Sequence, residues 1–230
     1  SHLQYQQAHF FFFFWGAKHA PKIIATVNGE ERKIFGWETE AASSDYRAFL
    51  QVFIPEFIAF MKSKNGADKR CYFHISDEPG EDHFEQYKAS RDLVEKLLDG
   101  YPIMDALSHY KYYEQGIVKL PVVVNDAIEP FLENKVPNLW TYYCCVQGVN
   151  VSNRFIAMPS ARNRIMGTQM YKYDIKGFLH WGFNFYNSQL SKQKINPFIT
   201  TDAIGAFPSG DAFCVYPAEN GVPYFAIGAK

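Results

Sequence analysis

Asp77 and Glu78 stand side by side at the end of the run Cys71-Tyr72-Phe73-His74-Ile75-Ser76, with Pro79-Gly80 directly after them. The run reads as a strand: aromatic and branched residues bounded by Lys69-Arg70 before and by a proline that ends pairing. Acids at the end of a buried strand are unfavourable unless they are used or paired. Alternation puts Tyr72, His74 and Ser76 on one face and Phe73 and Ile75 on the other. The two acids can therefore reach one ligand only where the chain leaves the sheet. Close carboxylates take unlike proton states, because the charge on one raises the pKa of the other. One ionised and one protonated carboxyl suit cleavage of a glycosidic bond, which needs an acid for the leaving group and a second group to stabilise positive charge at the sugar carbon. Taken alone, the pair also fits a strand end capped by two solvated acids.

The elements that must position this pair alternate strand with helix. Residues 10–15 read as a buried strand, and 23–27 with 33–37 as a hairpin turning at Asn28-Gly29. Ser43 or Ser44 caps a helix to about residue 64, with Phe49, Phe53, Phe57 and Phe60 as its apolar stripe, a kink at Pro55 and an end at Asn65-Gly66. A second helix spans 81–98, burying Phe84, Tyr87, Val94 and Leu97-Leu98 and stopping at Gly100. Shorter helices cover 110–115 and 128–134. Another covers 159–173, with Pro159 in its first turn and a stop at Gly177, and carries Arg162 and Arg164 as solvated or salt-bridged residues. Between the helices lie strands at 71–77, 101–106, 120–125, 139–146 and 178–186. The long loop 187–217 reads as a rim or lid, and 222–226 as one more strand.

Near-continuous apolar strands between amphipathic helices mean an α/β fold with a parallel sheet covered on both faces. A doubly wound sheet usually announces itself with a Gly-rich first turn, and no such turn or phosphate loop is present. Site-like residues instead collect at successive strand ends: Asp77-Glu78, Asp105, Asn125-Asp126, Tyr142-Tyr143 and Trp181 with Asn184. That is the habit of a (β/α)8 TIM-type barrel. The strand count falls short of eight even with 10–15 included. The expectation is one catalytic domain over 1–230, truncated at both ends, with the first strands and the last helix of the barrel lying outside it.

A net charge of -1 provides no basic field for nucleic acid or an anionic membrane. The aromatic content of 17%, with 21 Phe and 15 Tyr, supplies flat apolar rings of the kind a sugar pocket uses. The four cysteines form no Cys-x-x-Cys pair and the seven histidines show no zinc spacing, so no metal and no cofactor is expected. Cys144-Cys145 reads as strand filler. The apolar run 10–15 is too short for a signal core or a membrane span. Cysteines of reduced character and the missing signal lean towards the cytoplasm.

Seven stretches together resemble the catalytic domain of glycoside hydrolase family 123 and its uncharacterised bacterial relatives, from about Trp15 to Tyr216. They are WGAKHAPKI (15–23), FGWET (35–39), HISDEP (74–79), LWTYYCC (139–145), MPSARNRI (158–165), GFLHWGFNFYN (177–187) and FPSGDAFCVYP (207–217). The resemblance implies a (β/α)8 barrel that removes β-linked N-acetylgalactosamine, with the substrate's own acetamido group as nucleophile. It places the family's adjacent acids on Asp77 and Glu78. Asp77 would orient and stabilise the acetamido nitrogen as the oxazolinium ion forms; Glu78 would protonate the departing oxygen and then activate water. Such substrate-assisted enzymes depart from the usual two-carboxylate scheme. The implied partner is a glycan substrate.

The remaining candidates each carry two readings. Trp181 is a platform under the sugar ring or packing under the long loop, and Asn184 a partner for a hydroxyl. Trp140 and Tyr142 share one strand face and Tyr143 the other. A hydroxyl reaching the acetamido oxygen and plain core filling compete for Tyr142 and Tyr143. Asp105 and Asp126 bind sugar hydroxyls or hold a basic partner such as His74 or Arg162, with the reading leaning to binding for Asp126 and Asn125. His74 reads as a buried histidine satisfied by a neighbour. Two alternatives to the substrate-assisted scheme stay open: a glycosidase with Asp126 or Asp105 as protein nucleophile or base, and a non-catalytic carbohydrate-binding or degenerate barrel.

Overall fold

The structure, a computed structural model, describes residues 8–12, 18–218 and 224–225. The end of the phenylalanine run, 13–15, lies outside the described residues. The chain divides into two units, Ser1–Val122 and Val123–Lys230.

The first unit opens with β1 (Ala8–Phe11). The expected hairpin follows, β2 (Ile23–Val27) pairing antiparallel with β3 (Glu30–Phe35). Its turn residues both take positive φ, 54° at Asn28 and 86° at Gly29, a two-residue geometry whose twist matches the strands it joins.

The helix α1 (Ser44–Ser63) runs through Pro55 without interruption. Its buried side is Tyr46, Leu50, Ile54 and Ile58, which corrects the predicted phenylalanine stripe. The two sets lie one residue, about 100°, apart around the axis, so spacing alone cannot choose between them. The phenylalanines instead stack along the surface, Phe49 on Phe53 at 5.2 Å and Phe53 on Phe57 at 5.7 Å, with Phe35 against Phe49 at 5.2 Å. Stacked rings shield part of one another, and Phe53 and Phe60 remain exposed.

Next comes β4 (Cys71–His74), parallel to β1 in the register Ala8↔Cys71 to Phe11↔His74. The helix α2 (Phe84–Leu97) buries Phe84, Tyr87, Ser90 and Val94, and Gly100 takes φ 82° where the chain turns back. β5 (Met104–Leu107) is buried along its length, and Ile103 just before it bridges Phe73 of β4 in parallel. After α3 (Lys111–Glu114) the chain enters β6 (Leu120–Val124), which lies beside β5.

The second unit contains α4 (Glu129–Glu133), β7 (Trp140–Tyr142), α5 (Ser160–Lys172), β8 (Gly177–Leu179), β9 (Val215–Tyr216) and β10 (Tyr224–Phe225). β7 and β8 pair in parallel, while β9 and β10 pair antiparallel. Both parallel strands are shorter than the apolar runs 139–146 and 178–186, and side chains take main-chain donors just beyond them. Cys144 N–H donates to Gln147 Oε1 at 2.9 Å, and Gly182 N–H to His180 Nδ1 at 3.0 Å. Gly177 does not stop α5; it opens β8. A Cβ there would fall 2.2 Å from the Trp140 ring, so the indole lies across bare backbone. Strand–helix alternation with parallel pairing makes the fold α/β with a parallel sheet.

Candidate active site

In the first unit, β4 stops at His74 because the next donor leaves the ladder. Ile75 N–H lies 3.1 Å from both carboxylate oxygens of Asp105, on β5. Asp105 is fully buried. Its carboxylate also accepts the Tyr87 hydroxyl from α2 and faces His74 Nδ1 at 3.4 Å. Burial raises the Asp105 pKa, while His74, Tyr87 and the Ile75 N–H pull it down. Asp105 is thus committed to holding the strand end and is not placed to bind a sugar hydroxyl. His74 is also buried, with Nδ1 facing this carboxylate. Replacing Asp105 by Asn should cost about 3 kcal/mol in denaturant unfolding, since buried donors would face an amide in place of a carboxylate. An unchanged midpoint would remove this role.

A second tether returns the chain to β5: Glu78 N–H donates to Ala106 O at 3.1 Å. Between the tethers residues 75–78 bend outwards, and Glu78 takes φ 39°, a left-handed conformation unusual for a side chain of its size. Pro79 is buried after it, and Gly80 O accepts the Tyr112 hydroxyl at 2.8 Å. The strand's alternation therefore lapses just where the acids stand, and both side chains are exposed.

The Asp77 carboxyl is pushed up to about 6, by desolvation first, then by the charges of Glu78 and Asp105, with His74 opposing. Although part of the residue touches solvent, the protein mass around the carboxyl weakens its hydration. The pair thus carries the electrostatic coupling expected of close acids.

In the second unit, Tyr143 packs against Phe178 at 4.7 Å and His180 at 5.8 Å, and its hydroxyl lies 3.4 Å from Asn163 Oδ1. Burial raises its pKa, with the charge of Arg154 opposing. Trp181 is 43% exposed, flanked by Phe207 at 4.8 Å and Phe185 at 5.2 Å. It lies beyond the end of β8, as does Asn184, which is exposed and bridges Phe213.

Asn125 donates its amide to Ser152 O at 2.8 Å, while its Oδ1 is buried with no hydrogen-bond partner among the described residues. Asp126 is exposed, 3.5 Å from Gln147 Nε2. Tyr142 is buried, and Trp140 is half-buried over Gly177, so both fill the core of their unit. Arg162 donates to Val151 O. Among the described residues no group of His, Cys, Asp and Glu is arranged to hold a metal ion, and no helix is long and apolar enough to cross a membrane.

Sequence reasoning missed Arg154, His180 and Asp211. Asp211 is fully buried, and both of its carboxylate oxygens lie within hydrogen-bond distance, one of His180 and one of Trp181. A single acid in the apolar stretch Ala212-Phe213-Cys214-Val215 is the signal that could have found it, since a lone buried carboxylate requires donors.

A family model for the catalytic domain of glycoside hydrolase 123 matches residues 2–230. The chain belongs to glycoside hydrolase family 123. The HISDEP bend and the aromatic stretches around β7 and β8 lie within the matched residues. One solved structure similar to the chain is a family 123 glycoside hydrolase from Clostridium perfringens, described in connection with glycolipid glycan hydrolysis. It is 17% identical with a TM-score of 0.66, and the match covers 90% of this chain and 36% of that one. At that identity the likeness is one of fold. No curated protein matches the chain.

Proposed function

We propose that this family 123 chain is the catalytic domain of a retaining β-N-acetylhexosaminidase that removes terminal β-linked N-acetylgalactosamine, built on a (β/α)8 barrel of which the chain carries part. The observation that supports it is the exposed acid pair on a bend tethered at both ends. Parallel strands that end in such residues are how barrels display their chemistry. In this reading Asp77, ionised, accepts the N–H of the substrate's acetamido group and steadies positive charge as the amide oxygen attacks the sugar carbon. Glu78 gives its proton to the departing glycosidic oxygen. Water then opens the oxazolinium ion, losing a proton to Glu78. Within the second unit, Trp181 is proposed as a platform for a sugar face.

A scheme with a protein nucleophile needs a further free carboxylate. Asp105 is unavailable, being buried and bonded on both oxygens, which leaves Asp126. The two schemes separate on matched aryl glycosides with and without the 2-acetamido group. An internal nucleophile is worth many orders of magnitude in effective concentration, so its removal should lower kcat/KM by about 10³-fold or more. Equal rates would overturn the assignment and favour Asp126.

A further inference from the structure

Trp181 is open to solvent across much of its surface, yet its indole N–H donates to Asp211 Oδ2 at 2.9 Å. The other oxygen of Asp211 lies 3.2 Å from His180 Nε2. His180 Nδ1 accepts the Gly182 N–H at 3.0 Å and faces Arg154 Nη2 at 3.1 Å. A ring nitrogen that accepts cannot also carry a proton, so the proton sits on Nε2 and is donated to Asp211. His180 is therefore the neutral tautomer, and its contact with Asp211 is a hydrogen bond and not an ion pair.

The main chain around the tryptophan is fixed by the same cluster. Arg154 Nη2 also donates to Gly182 O and to Asp211 O, each at 2.6 Å. A Cβ on Gly182 would fall 2.7 Å from the carbonyl oxygens of Asp211 and Ala212, so only glycine allows the two segments to approach this closely. An exposed aromatic ring free to rotate loses side-chain entropy on stacking against a ligand. A ring held by its own N–H has already lost it.

We propose that Asp211 is a positioning residue: it receives the N–H groups of consecutive residues, His180 and Trp181, and thereby fixes the plane in which Trp181 meets a sugar ring. Gly182 completes the device, its N–H holding His180 Nδ1 as an acceptor, while Arg154 ties the Gly182 and Asp211 main chains together. This rests on the proposed role of Trp181 as a sugar platform.

The test uses the whole chain with Trp181 replaced by its benzothienyl isostere, which exchanges the indole N–H for sulfur and keeps the ring, alongside Asp211→Asn. Binding of N-acetylgalactosamine by calorimetry should weaken about tenfold in the isostere, the scale of one hydrogen bond to a charged group. On a 2-acetamido substrate KM should rise with kcat changed by no more than about twofold. In spectra of protein with ¹⁵N-labelled tryptophan, the indole signal missing from the isostere should be the slowly exchanging one in the parent and should exchange faster in Asp211→Asn. Should Asp211→Asn fail to fold, the isostere still decides. Unchanged sugar affinity in the isostere, a rapidly exchanging Trp181 proton in the parent, or no sugar binding by the parent would overturn the proposal. Loss of the acetamido requirement with the binding results intact would sink the proposed reaction and leave this inference standing.

Discussion

Glu78→Gln should lower turnover of substrates with alkoxide leaving groups by about 10³-fold, within the range that a positioned general acid contributes. A sugar or lipid alcohol is a poor leaving group and needs its proton as the bond breaks. A nitrophenolate does not, so the same variant should keep much more of its first-step rate on nitrophenyl glycosides. The second step uses Glu78 as base, so even there the intermediate should accumulate and produce a burst. Glutamine keeps the length of the side chain and its tolerance of φ 39°, which leaves the loss of the ionisable proton as the main change. Equal losses on both leaving-group classes would mean that Glu78 is not the acid, and unchanged rates on both would remove it from the chemistry.

Asp77→Asn should cost about 10²- to 10³-fold in kcat, the scale seen when one charge-stabilising group is withdrawn from a reaction centre. Because the Asp77 pKa is pushed up to about 6, kcat/KM of the parent should fall as pH drops through 6 and the carboxylate is neutralised. The residual activity of the asparagine variant should lack that acid limb. Stability moves the other way. A carboxyl whose folded pKa lies above its unfolded value favours the folded state below about pH 4, and that contribution is lost as pH rises through about 6. Asparagine cannot ionise, so the variant should melt above the parent at pH 7.5, with the gap closing towards pH 4. A gap independent of pH would show that Asp77 titrates normally.

Elements around the acid pair were legible where local rules act on them. Asn28-Gly29 fixes a turn by its conformational range. The phenylalanine stripe of α1 misled, since two apolar rows run along that helix and only packing against the rest of the unit selects Tyr46, Leu50, Ile54 and Ile58 for burial. β7 and β8 ended early for a related reason. Gln147 and His180 capture the main-chain donors of Cys144 and Gly182, two and three residues past the strand ends, and capture by a side chain leaves no periodic trace. Asp105 stayed open between binding a sugar hydroxyl and holding a basic partner such as His74; its partners Ile75 and Tyr87 lie 30 and 18 residues away and could not be paired with it by spacing. The cluster of Arg154, His180 and Asp211 was out of reach in the same way, spanning 57 residues from end to end.

The two tethers on residues 75–78 have a thermodynamic corollary. Ile75 and Glu78 are moored to β5, so the conformational freedom of this segment is surrendered during folding. In the proposed reaction, a substrate docking there would meet a centre with little left to rearrange, and most of its association energy would remain for distorting the glycoside itself.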